Sequence, residues 1–182
     1  MSSAERRLET KRLVLREWRD DDLDGILAMN GDPDVMRFIG DGHVHDRAEA
    51  GDMLAGLRRG WGEHGFGRWA VERRSGRAFA GFCGVGFLKV FPALLGEPEI
   101  GWRLPRSLWG AGYATEAAIA SRDDFFQTTS YDHLVSLSNP RNLASERIMA
   151  KLGMRRVDDV RHPRFGAIHR HRLDRADWQA AA

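Results

Sequence analysis

One cysteine is present in the chain, Cys83, so no intrachain disulfide can form and no pair of thiolates is available to a zinc ion. Disulfide-stapled scaffolds and cysteine-based zinc modules are excluded, and a reducing, cytoplasmic setting is expected. Proline is scarce, with 6 in 182 residues, which removes collagen-like and proline-rich classes. Long apolar runs are missing as well. The most apolar window, residues 78–96, holds Lys89, Pro92 and four glycines. A membrane span needs about 20 apolar residues, so that window reads as a strand and a loop. The first twenty residues carry charges from Glu5, Arg6 and Arg7 to Arg16 and Glu17, with no apolar segment of the kind a secretory signal requires. Nor does one sign of charge dominate. Lys+Arg 28 against Asp+Glu 26 leaves +2, scattered from Arg6 to Arg175, so neither nucleic acid nor a membrane is implied as a partner.

What the chain does contain, 42% apolar and 30% charged residues over 182 positions, suffices for one globular domain with its own core. Residues 12–18 alternate apolar and polar, which predicts a first strand. Asp20 can cap a helix through Leu23, Ile26, Leu27 and Asn30, a second short helix is expected over 34–39, and a third over 46–63 with Ala50, Met53, Leu54, Leu57 and Trp61 on one face. Residues 69–73 and 79–85, joined through Ser75-Gly76, predict an antiparallel hairpin, because so short a link admits no crossover. Residues 99–104 form the next strand. A loop with Gly110 and Gly112 then leads into a helix over 113–126, followed by a strand at His133–Ser138, a helix over 143–152 and strands over 154–157 and 167–173. The order predicts a mixed α/β fold, a mostly antiparallel central sheet with flanking helices.

The glycine loop is the first feature with chemistry in it. Gly110 and Gly112 free backbone amides to approach an anion where a helix begins. A dinucleotide fingerprint would need a third Gly or Ala at Thr115 and a loop directly after the strand, and a phosphate loop of the Gly-Lys-Ser/Thr type is absent. A nicotinamide-dependent oxidoreductase is therefore disfavoured, and the ligand is another phosphate compound.

The stretch Trp109-Gly110-Ala111-Gly112-Tyr113-Ala114-Thr115-Glu116-Ala117 resembles the acetyl-CoA loop of the GCN5-related N-acetyltransferases (GNAT), and within them the RimJ/RimL branch. Three further segments match that branch in order: Arg12-Leu13-Val14-Leu15-Arg16, Asp32-Pro33-Asp34-Val35-Met36-Arg37-Phe38 and Glu99-Ile100-Gly101-Trp102-Arg103-Leu104. A fourth runs from Asn142 through Ser145, Met149 and Gly153 to Met154. The resemblance covers about residues 10–175, a single domain within 1–182, and implies the acyl-CoA N-acyltransferase fold.

In that family the loop wraps the CoA pyrophosphate, so the resemblance implies cofactor contacts at Gly101, Trp102, Arg103, Ser107, Leu108, Trp109, Gly110, Ala111, Gly112, Tyr113, Ala114 and Asn142. The wider superfamily places Gln or Arg where this chain has Ser107, with Arg106 beside it. The strands at 99–104 and His133–Ser138 are expected to splay so that the pantetheine arm inserts between them. Transfer of acetyl from a thioester to an amine of pKa about 10 requires a base. Glu99 is the candidate by resemblance, with Glu97, of the same strand parity, as the alternate. Simple decoration of an exposed strand face is the competing reading of both. An amide at Trp102 or near it is the expected oxyanion donor. Met149 stands where many members carry a proton-donating tyrosine, so Ser145 becomes the candidate donor to the departing sulfur, while Asn142 is either a CoA contact or only a helix cap.

His169 with His171 and His43 with His45 form alternate pairs, yet neither is completed to three ligands, and no metal is expected. Cys83 reads as buried and inert, and Trp61, Phe66 and Trp69 as core. The acceptor amine would enter over residues 30–45 and 158–166, where Asp41, His43, His45 and Asp46 meet Arg161, His162 and Arg164 without a dominant sign. A protein or peptide N-terminal α-amine is the first expectation. Small-molecule amines, and a non-catalytic CoA-binding regulator, are the alternatives, and a homodimer is possible within the resemblance.

Overall fold

A computed structural model describes residues 6–89, 91–162, 164 and 166–181. Its centre is one eight-stranded sheet in the order β1-β2-β3-β4-β5-β6-β8-β7, formed by β1 (Arg7–Glu9), β2 (Leu13–Arg16), β3 (Arg68–Arg73), β4 (Phe79–Phe87), β5 (Pro98–Arg103), β6 (His133–Ser138), β7 (Arg155–His162) and β8 (Gly166–Asp174). Every pairing is antiparallel except β5 with β6. The helices are α1 (Leu23–Asn30), α2 (Pro33–Met36), α3 (Arg47–His64), α4 (Tyr113–Thr128), α5 (Leu143–Lys151) and α6 (Arg175–Ala180).

Local chemistry explains most of these boundaries. Asp32 accepts from the Asp34 amide and Pro33 occupies the first helical position, which starts α2; the helix is four residues long in place of the expected 34–39. Asp46 and Glu49 form a reciprocal capping box at the start of α3, and Gly65, at φ +70°, ends it. The strand expected over 12–18 is only Leu13–Arg16, because Trp18 turns away and its indole N–H donates to the Arg68 carbonyl at 2.6 Å. Strand β7 runs on to His162, well past the expected 157, and the charged, largely exposed sequence of that extension explains why periodicity stopped short of it. Neither β1 nor α6 was expected; each is short and at the margin of the sheet. Residues 163 and 165 of the expected acceptor segment 158–166 lie outside the described residues.

Ala117 and Ala118 bring α4 close to the sheet, with Phe125 and Phe126 packed into the core beside Leu13, Leu15, Trp69, Val71, Phe82, Ile100 and Leu134. Trp61 and Trp69 meet edge to face at 4.2 Å, and Phe66 packs on Phe125. At the β4–β5 contact, Gly81 has φ +111°, and a Cβ there would lie 2.1 Å from the Arg103 carbonyl oxygen. Only glycine permits that approach.

Two features position the site. The parallel ladder of β5 and β6 consists of the single register pair Glu99↔Val135, after which the strands diverge, and the Ser136 hydroxyl donates to the Ile100 carbonyl at 2.9 Å where they part. Under the other end of the sheet, Arg16 is buried between Asp22 and Glu72. Among the described residues no helix is long and apolar enough to cross a membrane.

Candidate active site

A cleft of about 400 Å³ is bounded by the end of β5, the loop before α4, the first turn of α4, one side of α5 and the α2 region. Ten residues singled out in the sequence line it: Trp102, Arg103, Leu108, Trp109, Gly110, Gly112, Tyr113, Ala114, Asn142 and Ser145. Gly101, Ser107, Ala111 and Glu99 lie outside its lining, although the first three flank residues within it.

The loop is held from both sides. The Trp109 indole donates to the Leu104 carbonyl at 2.9 Å, and Arg12 donates to the Ala111 carbonyl at 2.8 Å and to Glu116 at 2.6 Å, with its guanidinium 4.4 Å from the Tyr113 ring centre. Sequence reasoning assigned Arg12 no such task. Its signal was the presence of both partners, Arg12 and Glu116, in matched segments. Gly110 and Gly112 take φ +75° and +81°, and no side chain caps α4, whose first backbone bond runs from the Glu116 amide to the Gly112 carbonyl at 3.1 Å. The amides of Tyr113, Ala114 and Thr115 thus have no helical acceptor and stand at the cleft. Arg147 and Lys151, one turn apart on α5, also line it. A phosphate-bearing ligand fits this donor set: amides with a helix dipole behind them, two cations opposite, and open space above Gly110, where a Cβ would meet nothing within 4 Å.

Asn142 caps α5, its side-chain oxygen accepting from the Ser145 amide at 3.2 Å, and it also reaches the cleft, so the two readings of this residue coexist. Met149 is buried in the core.

Glu99, Gly101 and Arg103 share one parity on β5. The Glu99 side chain is 16% exposed and accepts from Arg68 Nη2 at 2.5 Å. Burial pushes its carboxyl above the usual range, and the Arg68 charge and hydrogen bond pull against that rise. Glu97, the alternate base, is tied to the His133 imidazole at 2.6 Å, just before β5 begins. Arg103 donates to the Asn30 side-chain oxygen at 2.8 Å, and the Asn30 amide nitrogen lies 3.2 Å from His45 Nδ1. The guanidiniums of Arg68 and Arg103 both lie over the Phe82 ring, at 5.9 and 5.3 Å. None of these contacts was legible from spacing.

Cys83 is fully buried, and burial pushes its thiol up to about 12, so it is no nucleophile at neutral pH. His169 binds Glu146, and His171 is buried one step further along β8. Among the described residues no three His, Cys, Asp or Glu side chains converge on a point that could hold a metal ion.

A sheet forked between two parallel strands, with an uncapped glycine-loop helix aimed at the fork, defines a class of acyl-CoA-binding transferases. A family model described as the acetyltransferase (GNAT) domain matches residues 12–155, and the chain belongs to that family. It is accordingly an acetyl-CoA-dependent acyltransferase. The uncharacterized protein YkkB of Bacillus subtilis strain 168 is 31% identical over 162 residues, 87% of this chain and 91% of its own. Among solved structures, the acetyltransferase from Agrobacterium tumefaciens strain C58 is similar at a TM-score of 0.79 and 25% identity, over 95% of this chain and 96% of that one. RimL, a ribosomal L7/L12 α-N-protein acetyltransferase described in complex with coenzyme A, shares the fold at a TM-score of 0.75 and 13% identity, over 93% of this chain and 98% of its own.

Proposed function

We propose that the chain transfers acetyl from acetyl-CoA to a primary amine, in the first instance the α-amine of a protein N-terminus of the ribosomal-protein type. The carrying observation is the placement of Glu99 at the register pair that joins β5 to β6, beside which the two parallel strands divide. Bound acetyl-CoA supplies an acetyl thioester, which becomes an amide as the C–N bond forms and the C–S bond breaks.

The amides at the start of α4 hold the phosphates, and the unpaired edges of β5 and β6 receive the pantetheine arm. Glu99 takes the proton that the attacking amine must lose, directly or through one water. Its burial raises proton affinity and Arg68 keeps it ionised, so the two effects together poise it as a base. A backbone amide at Trp102 or beside it polarises the thioester carbonyl. The Ser145 hydroxyl hydrogen-bonds the departing sulfur; a thiol of pKa about 8.5 needs little more. The preference for a protein N-terminus draws support from the likeness to RimL-type folds.

The test is calorimetric titration with acetyl-CoA, followed by thiol release with a panel of N-terminal peptides and small amines. Saturable one-site binding with peptide-dependent release supports the reading. Release with polyamines or amino sugars alone moves the acceptor to small molecules, binding without release leaves a CoA-binding regulator, and absence of binding overturns it.

A further inference from the structure

We infer that the acceptor carries an acidic group close to its amine, and that Arg103, seconded by Arg68, is the subsite that binds this group. This deepens the transferase reading and rests on it.

The charges beneath the fork do not balance. Arg68 and Arg103 stand over the same ring, Phe82, and the one carboxylate beside them, Glu99, pairs with Arg68. Arg103 has no carboxylate partner among the described residues; its hydrogen bond goes to the neutral side chain of Asn30, and its Nε is buried without an acceptor, as is that of Arg68. The next titratable group, His45, is held towards its neutral form, first by burial and then by the charge of Arg103, so it adds no compensation. Burial and the adjacent Arg68 push Arg103 itself down to about 10, which leaves it charged at neutral pH. A buried guanidinium with donors to spare is costly unless an anion meets it, and its planar fork matches a carboxylate or a phosphate.

Arg103, half-buried, is one of the residues that line the cleft, which leaves it within reach of that anion. The anionic parts of acetyl-CoA have their own donors at the start of α4, with Arg147 and Lys151 opposite. Arg103 instead reaches towards Asn30 of α1, on the parity of β5 that carries Glu99. An amine delivered to Glu99 with an acidic group beside it would bring to Arg103 the charge that the protein does not supply. Residues around the entrance carry mixed charge, whereas this inner surface is cationic.

The experiment compares three matched acceptor pairs by thiol release: the peptides Ser-Asp-Phe-Ala and Ser-Asn-Phe-Ala, β-alanine and propylamine, and phosphoethanolamine and ethanolamine. The pairs separate a peptide carboxylate, a small-molecule carboxylate and a phosphate. In at least one pair the acidic member is favoured by about tenfold or more in kcat/KM, the scale of a charge-assisted hydrogen bond. That ratio falls towards one in Arg103→Gln and is partly restored in Arg103→Lys. Equal use of both members in every pair, a ratio that survives in Arg103→Gln, or a rise in the acetyl-CoA KM that accounts for the loss would each overturn the inference. Calorimetry with succinate and with inorganic phosphate, on wild type and Arg103→Gln, gives a readout without turnover. Arg103-dependent anion binding with no acetylated amine would sink the transferase reading and keep the subsite; acetylation of neutral amines without charge preference or anion binding would do the reverse.

Discussion

Arg16 is buried and Arg103 half-buried, and the two are treated in opposite ways. Arg16 is 6% exposed in its side chain and fully spoken for: Nε donates to Glu72, Nη1 to Asp22 and to the Glu17 carbonyl, Nη2 to Asp22. Burial works against its charge, yet the hydrogen bonds and charges of the two carboxylates outweigh it and hold Arg16 above the usual arginine range. Arg103 has one neutral acceptor, a like charge beside it and a depressed pKa. The first arginine is matched to its surroundings by the fold; the second is left for something else to match. A buried charge satisfied at every atom stabilises a structure, and one left partly unsatisfied marks a place where stability has been given up for binding.

Breaking the saturated side has the largest effect. Arg16→Met takes the bidentate cation from buried Asp22 and leaves buried Glu72 only the longer pairs with Arg77 at 3.3 Å and Arg19 at 3.6 Å, and equilibrium unfolding in urea should show a loss of about 3–5 kcal/mol. Glu99→Gln acts on turnover: removal of a general base lowers kcat/KM by about 10²–10⁴-fold with folding intact. The wild-type profile carries the sign of the carboxyl's shift. Glu99 serves as a base only when ionised and its pKa is raised, so kcat/KM declines on acidification at a pH above the ordinary carboxylate range, and this limb vanishes in Glu99→Gln. Arg103→Met sharpens the contrast, since it removes an unmatched charge and orphans no carboxylate. Its stability should remain within about 1 kcal/mol of wild type or exceed it, and a loss comparable to that of Arg16→Met would erase the distinction.

The smallest effect is read at His45. Its native pKa is depressed, so as pH falls below 6.5 the unfolded chain takes up the proton first and native stability declines. Without the Arg103 charge His45 titrates higher. NMR titration should show its pKa rising in Arg103→Met and unmoved in Arg16→Met, and the acid decline in urea midpoint should be shallower in the former.

Much of this was legible in order along the chain. The loop from Ser107 to Gly112 and helix α4 could be read because a glycine turn, a helix start and an alanine face are local properties. The hairpin of β3 and β4 followed from the brevity of its link. The start of β7 was expected at 154–157, but its run on to His162 escaped, since the stretch 158–162 is so polar that apolar periodicity has little to register. The placement of β8 between β6 and β7 escaped as well, because pairing order is decided by the whole sheet. The cationic surface under the fork could not be foreseen at all. Arg68 lies 31 residues from Glu99, and Asn30 lies 73 from Arg103, so no spacing rule joins them. Glu99 and Ser145 were named through family likeness, and the structure adds their surroundings: an arginine on one, a capping asparagine before the other.

The parting of β5 and β6 has a mechanical consequence. Strands β1 to β5 and the β6-β8-β7 block share one ladder position, the Ser136 hydroxyl bond, the Glu97–His133 pair and the helices that cover them. The domain is thus two half-sheets on a narrow seam, and local opening along that seam should need less free energy than global unfolding. A co-substrate lying in the seam would act as a clasp across both halves. Amide hydrogen exchange in Leu134–Ser138 and along β8 should then slow on adding acetyl-CoA more than exchange in β2 and β3, where neighbouring strands already close the lattice.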